Sequence, residues 1–188
     1  GRNGEPRFRP CVGGGIVPDG AVAERVLTSL SVRDQSVLTL WRWRTDSSEF
    51  DVRLDLTIKQ KSLIIDLSAE SDTVSEILIG RLEGLPGARP VEVPYLVLRP
   101  GLHKSTDPAV VFGNGLFVSG FVDWYHSHAS ELFGQAEKHG DGAVTDNGGT
   151  VYYPVAGGHR NPPRERLFLN LSSRLDEVLP SIPNPPNP

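Results

Sequence analysis

The chain has 188 residues, enough for one domain with a short tail. With 38% hydrophobic and 22% charged residues it can build a buried core, which excludes wholesale disorder. A net charge of −4 excludes the basic stripe that nucleic-acid binding needs, and a single cysteine, Cys11, excludes an intrachain disulfide or a four-cysteine zinc site.

Gly (20) and Pro (16) are plentiful, which favours turns and short elements over long helices. No apolar run approaches the roughly 20 residues of a membrane span. The first ten residues, "GRNGEPRFRP", contain neither a Met nor the apolar stretch of a leader, and Met is absent throughout. The expectation is a processed product or a piece of a longer reading frame, from a secreted or periplasmic protein.

Residues 1–20 read as a loop segment rich in Gly and Pro, and residues 21–179 as the folded domain. "SVLTLWRWR" (36–44) alternates like a strand. In "FDVRLDLTIK" (50–59), Phe50, Val52, Leu54, Leu56 and Ile58 fall on one face, and Asp51, Arg53, Asp55, Thr57 and Lys59 on the other. That unbroken period of two marks a strand with one buried and one wet face. "KSLIIDLSA" (61–69) follows a two-residue link, Gln60-Lys61, which turns a hairpin without the usual Asn-Gly chemistry.

"VSEILIGRLEGL" (74–85) is a further apolar run. "RPVEVPYLVLRP" (89–100) is strand-like but holds Pro94, which belongs on an edge or at a bulge. "PAVVFG" (108–113) and "GLFVSGFVDWY" (115–125) flank a Gly-Asn-Gly tip, a hairpin signal. "SHASELFGQAEKH" (127–139) has helical spacing, with Leu132 and Ala136 on one face and Ser127 or Ser130 as cap. "GDGAVTDNGG" (140–149) reads as loop, and "TVYYPV" (150–155) and "RERLFLNLS" (164–172) as strands. One or two helical turns follow in "SSRLDEVLP" (172–180), capped by Ser172 or Ser173. The proline-rich end, 180–188, is a stiff linker. Many short alternating strands without a βαβ rhythm predict an all-β fold, an antiparallel two-sheet β-sandwich with one or two short helices.

Chemistry concentrates in "VDWYHSHASELFG" (122–134). On a strand, His126 and His128 would share a face and reach one metal ion. Gly120, His126, His128 and Glu131 resemble the first motif of the cupin family, and Pro154, Gly157 and His159 lie near its second. The gap before Glu131 is short and the glycine that follows, Gly134, comes early. That resemblance implies a small metal-dependent β-barrel enzyme using His126, His128 and His159 on a divalent transition metal. The competing reading needs no cofactor and places both histidines at a strand end.

Aromatic residues suggest binding instead. Trp41 and Trp43 lie two apart and share a strand face; Trp124, Tyr125, Tyr152 and Tyr153 add rings. Sugar C–H faces stack on such rings, and Asp123, Arg42 or Arg160 would hold hydroxyls. Arg160, Arg164 and Arg166 form a basic cluster suited to an anionic group or to surface ion pairs. Cys11 has no histidine nearby, and no Gly-x-Ser-x-Gly elbow occurs.

Five phrases, "KSLIIDL", "VEVPYLVLRPG", "LFVSGFVDWYHSHASELFG", "GGTVYYPVAGGHRNPPRERLFLNLSSRLDEVLP" and "PNPP", together resemble the β-sandwich region that precedes the catalytic barrel of large bacterial glycoside-hydrolase-like proteins. The likeness covers roughly residues 50–188. It implies a non-catalytic module of a carbohydrate-active protein, packed beside a catalytic domain of the same polypeptide, with a polysaccharide as a further partner. The expected glycan contacts are Trp124, Tyr125, Asp123, Trp41, Trp43 and Arg160. A protein–protein interaction domain is the remaining alternative.

Overall fold

A computed structural model describes residues 7–9, 15–78, 80–83, 87–91, 109–133, 137–139, 142–146 and 149–179. Among the described residues, sixteen strands run in chain order. They are β1 (Arg7–Arg9), β2 (Ile16–Pro18), β3 (Val22–Arg33), β4 (Ser36–Thr45), β5 (Glu49–Lys59), β6 (Ser62–Ala69), β7 (Val74–Leu78) and β8 (Arg81–Glu83). Then come β9 (Arg89–Pro90), β10 (Ala109–Gly113), β11 (Leu116–Val122), β12 (Glu131–Phe133), β13 (Glu137–His139), β14 (Gly142–Asp146), β15 (Gly149–Val151) and β16 (Arg164–Ser172). The protein is an all-β, antiparallel sandwich.

The large sheet has eight strands in the order β3-β4-β5-β6-β16-β11-β10-β9. A four-stranded sheet, β12-β15-β7-β2, packs across it. Between them lie Ile16, Val74, Ile77 and Tyr152 from the small-sheet side and Trp43, Phe50, Val52, Leu67, Ala69, Val122 and Leu167 from the large sheet. A second four-stranded group, β1-β8-β14-β13, approaches β9 and β10. The alternation of β5 dictates its burial. Phe50 and Val52 are in the core, Leu54 and Leu56 are half-buried, and Ile58 is 61% exposed. Cover by the small sheet therefore runs out along the strand.

The turn at Gln60-Lys61 closes as its spacing predicts, pairing Lys59 with Ser62. Gln60 sits at φ 54°, a conformation that glycine would occupy at lower cost. The tip at Asn114-Gly115 has φ of 51° and 76°, the two positive values of a type I′ turn. The outer face of β11 and β16 forms a second small core, with Phe121 stacked on Phe168 at 4.8 Å between ring centres. Ser119 closes it by donating a hydrogen bond to the carbonyl of Val178.

Four expectations are corrected. The described residues of 127–139 are not helical: Glu131–Phe133 pairs with Gly149–Val151, and Glu137–His139 with Gly142–Val144. Cross-strand pairing satisfies this backbone, and the apparent 3.6-residue spacing of two side chains does not outweigh it. Gly142–Asp146 is a strand rather than loop; its Ala-Val-Thr centre was hidden by flanking Gly and Asp. Within 1–20, short strands occur at 7–9 and 16–18. The helical turn after Ser172 is one 3₁₀ turn, Leu175–Glu177, and Arg174 rather than a serine is its N-cap. Ser172 still serves it by accepting from Arg174 N–H and donating to Glu177. Pro94, Cys11 and the linker at 180–188 lie outside the described residues.

Candidate functional site

β11 ends at Val122, and the chain turns sharply through Asp123–His126 before crossing to β12. Asp123 is buried and builds that turn. Its Oδ1 accepts from the N–H of Tyr125 at 3.2 Å, and its Oδ2 from His126 Nδ1–H at 2.8 Å. A short acidic side chain accepting from the backbone two residues on is the usual chemistry of such a turn. Because a carboxylate only accepts, the pairing places a proton on Nδ1 and leaves Nε2 as the outer nitrogen of the ring.

The turn pushes Trp124 and Tyr125 outward. They are 37% and 43% exposed, with ring centres 5.8 Å apart and planes inclined at 53°. Tyr125, His126, Ser127 and His128 form one wall of a cleft of about 630 Å³; Arg53, Asp66, Ser68, Arg164, Glu165 and Arg166 line the rest. That volume is in the range of small-ligand sites.

The opposite wall owes its chemistry to β16. Arg164 and Arg166 alternate outward, and Glu165 between them turns inward on the core side. Arg166 holds Asp66, its cross-strand partner, with two bonds of 2.6 and 2.9 Å. Glu165 is 3% exposed. Its Oε1 accepts from the Tyr152 hydroxyl and, at 3.1 Å, from the N–H of His128. Its Oε2 is the one buried side-chain polar atom among the described residues with no partner. Burial pushes the Glu165 carboxyl above the usual carboxylate range, against the opposing pull of its hydrogen bonds. Burial, and then the neighbouring Glu165, also push the Tyr152 hydroxyl up, so Tyr152 stays a donor.

Several expected site residues are elsewhere. Trp41 and Trp43 do share a face, but it is the core face. Trp43 is 3% exposed, and Trp41 is half-buried with Nε1–H donating to Thr39. Neither presents an open ring to a sugar, because their alternation points them at the small sheet. Arg160 is committed to Asp19 and to the carbonyl of Tyr152. Asp123 is spent on the turn. Of the expected glycan contacts, Trp124 and Tyr125 remain at the surface.

The three histidines do not converge. His126 pairs with Asp123, His128 Nδ1 lies 3.3 Å from the carbonyl of Pro162, and His159 Nδ1–H bonds Asp72 at 2.6 Å. Glu131 accepts from the Tyr153 hydroxyl. Among the described residues, no three His, Cys, Asp or Glu side chains are grouped to hold a metal ion. The cupin-like spacing fails because 123–126 is a turn, which separates residues that a continuous strand would align.

The sequence offers Tyr152 as one ring among several for binding and Glu165 as a surface ion-pair partner of the arginines; both are instead buried and bonded to each other. Their one signal is a charged residue at a core position of an alternating strand, Arg-Glu-Arg-Leu, where the inward place belongs to an apolar side chain. Comparison with protein-family models, with curated proteins and with solved structures gave no match.

Proposed function

We propose that this chain is a non-catalytic β-sandwich module that binds glycan at the cleft beside Trp124 and Tyr125, in support of a catalytic domain of the same secreted or periplasmic polypeptide. The observation that carries this reading is the exposed Tyr125 ring on the wall of a cleft edged by charged side chains, with the exposed Trp124 ring 5.8 Å from it. A sugar presents apolar C–H faces and a ring of hydroxyls. Trp124 offers the stacking surface. His126 Nε2 and Ser68 are hydroxyl partners, and the Arg164 guanidinium is a donor to ring or carboxylate oxygens.

Stacking rings set in turns on a rigid sandwich need little reordering to bind, which lowers the entropic cost of capture. Screening the intact chain on a glycan array, with titration calorimetry of each hit, tests the reading. Binding lost in both Trp124→Ala and Tyr125→Ala, with unchanged circular dichroism, supports it. A blank array, or hits indifferent to both substitutions, overturns it.

A further inference from the structure

Among the described residues, six strands form the outer edges of the three sheets: β9 and β3 in the large one, β2 and β12 in the small one, β1 and β13 in the third. Five follow the rule that soluble proteins keep edges short. β9 has two residues, one of them Pro90, and β1, β2, β12 and β13 have three each. β3 breaks the rule with twelve residues. Its stretch Val26–Val32, VLTSLSV, contains no charge, proline or glycine. An open edge of that composition is a template for strand pairing.

Exposed apolar side chains lie on both faces beside this edge. Leu27 and Leu30 pair with Trp41 and Thr39 on the core face, beyond the cover of the small sheet, and Val32 follows them. Leu30 is 57% and Val32 70% exposed. Val26 and Leu40 are exposed on the other face.

We propose that β3 pairs antiparallel with β3 of a second copy about a two-fold axis between Thr28 and Ser29, forming a homodimer with one continuous sheet. The strand is complementary to itself in this register. Leu27 faces Leu30 of the other copy, Val26 faces Ser31, Arg25 faces Val32, and Glu24 faces Arg33. Each pair falls on one face: Leu27 and Leu30 lie on the Trp41 side, and Glu24 and Arg33 on the Arg44 side. By symmetry every pairing occurs twice, so the axis carries an apolar centre closed at both ends by opposite charges. Arg33 has no ion-pair partner among the described residues and is available for this one. The bulge at Thr28, whose hydroxyl is tied to Leu40, sits at the axis and interrupts the new ladder only there.

The test is sedimentation velocity of the intact chain over a concentration series, with circular dichroism as the folding control. The wild-type chain is expected to dimerise. Leu30→Lys and Val32→Lys, both at exposed positions, are expected to give folded monomers. Arg33→Glu places like charges opposite each other twice and is expected to weaken the dimer roughly tenfold. Ile58→Lys, on the same sheet face but away from the edge, is expected to leave it intact. A wild-type monomer at every concentration overturns the proposal and leaves the edge to a different protein. A dimer dissolved by Ile58→Lys but not by Leu30→Lys, or one indifferent to Arg33→Glu, overturns the edge-to-edge register.

Discussion

Replacing Glu165 by Gln removes a charge from the cleft wall and leaves its shape. Oε1 still accepts from Tyr152 and from the N–H of His128, so both hydrogen bonds survive. What disappears is the ionised form of a 3% exposed carboxyl with one orphaned oxygen. An amide nitrogen takes the place of that oxygen in the variant and is itself unpaired, so the gain comes from the removed charge alone. Burial raises the folded-state pKa above that of the unfolded chain. The folded protein therefore binds the proton more tightly, and wild-type stability falls as pH rises from the unfolded pKa to the folded one. Each unit of that gap is worth about 1.4 kcal/mol. Above the window Glu165→Gln should be the more stable protein by about 1–2 kcal/mol, or roughly 2–8 °C in melting temperature for a chain of this size. Below the unfolded pKa, where Glu165 is neutral in the folded and the unfolded wild-type chain alike, the difference should narrow. Thermal melts of the two proteins across the acid-to-alkaline range measure it. A variant that is less stable than wild type at alkaline pH, or a difference that does not change with pH, would refute the assignment of a destabilised buried carboxylate.

Tyr152→Phe removes a donor to Glu165 and should cost about 1–3 kcal/mol in chemical denaturation, most at alkaline pH where the carboxyl is ionised. Gly15→Ala should be severe, at least about 2 kcal/mol: φ is +79° and the new Cβ would lie 1.8 Å from the carbonyl oxygen of Leu78. Gln60→Gly should stabilise by about 0.5–1 kcal/mol, because the turn holds a non-glycine residue at positive φ; an unchanged urea midpoint would speak against that strain. Ile77→Ala, at a fully buried position between the sheets, should cost about 2–5 kcal/mol without altering glycan binding.

The correct strand expectations share one physical basis. In β5, β6, β10, β11 and β16 the side chains alternate strictly or the run is apolar and bounded by turn residues, so local sequence and final burial agree. β3 went unread because it has no such contrast: Val26 and Leu27 are adjacent, its bulge shifts the alternation, and most of it faces solvent. The strands at 131–133 and 137–139 are short and draw their stability from partners far along the chain, which a local window does not contain.

At the cleft the same division holds. Exposure of Trp124 and Tyr125 is a consequence of the Asp123 turn, and that turn is local chemistry. The sequence by itself determined the class of the fold, since a period of two along several strands leaves only layered sheets able to bury one side of each. It also determined that Trp41 and Trp43 share a face. Only the tertiary structure decided that this face is the core, that Glu165 is buried beside Tyr152, and that the three histidines stand apart. Those outcomes depend on which strands meet across the sandwich, and contacts between residues far apart in the chain leave no periodic trace in either segment alone.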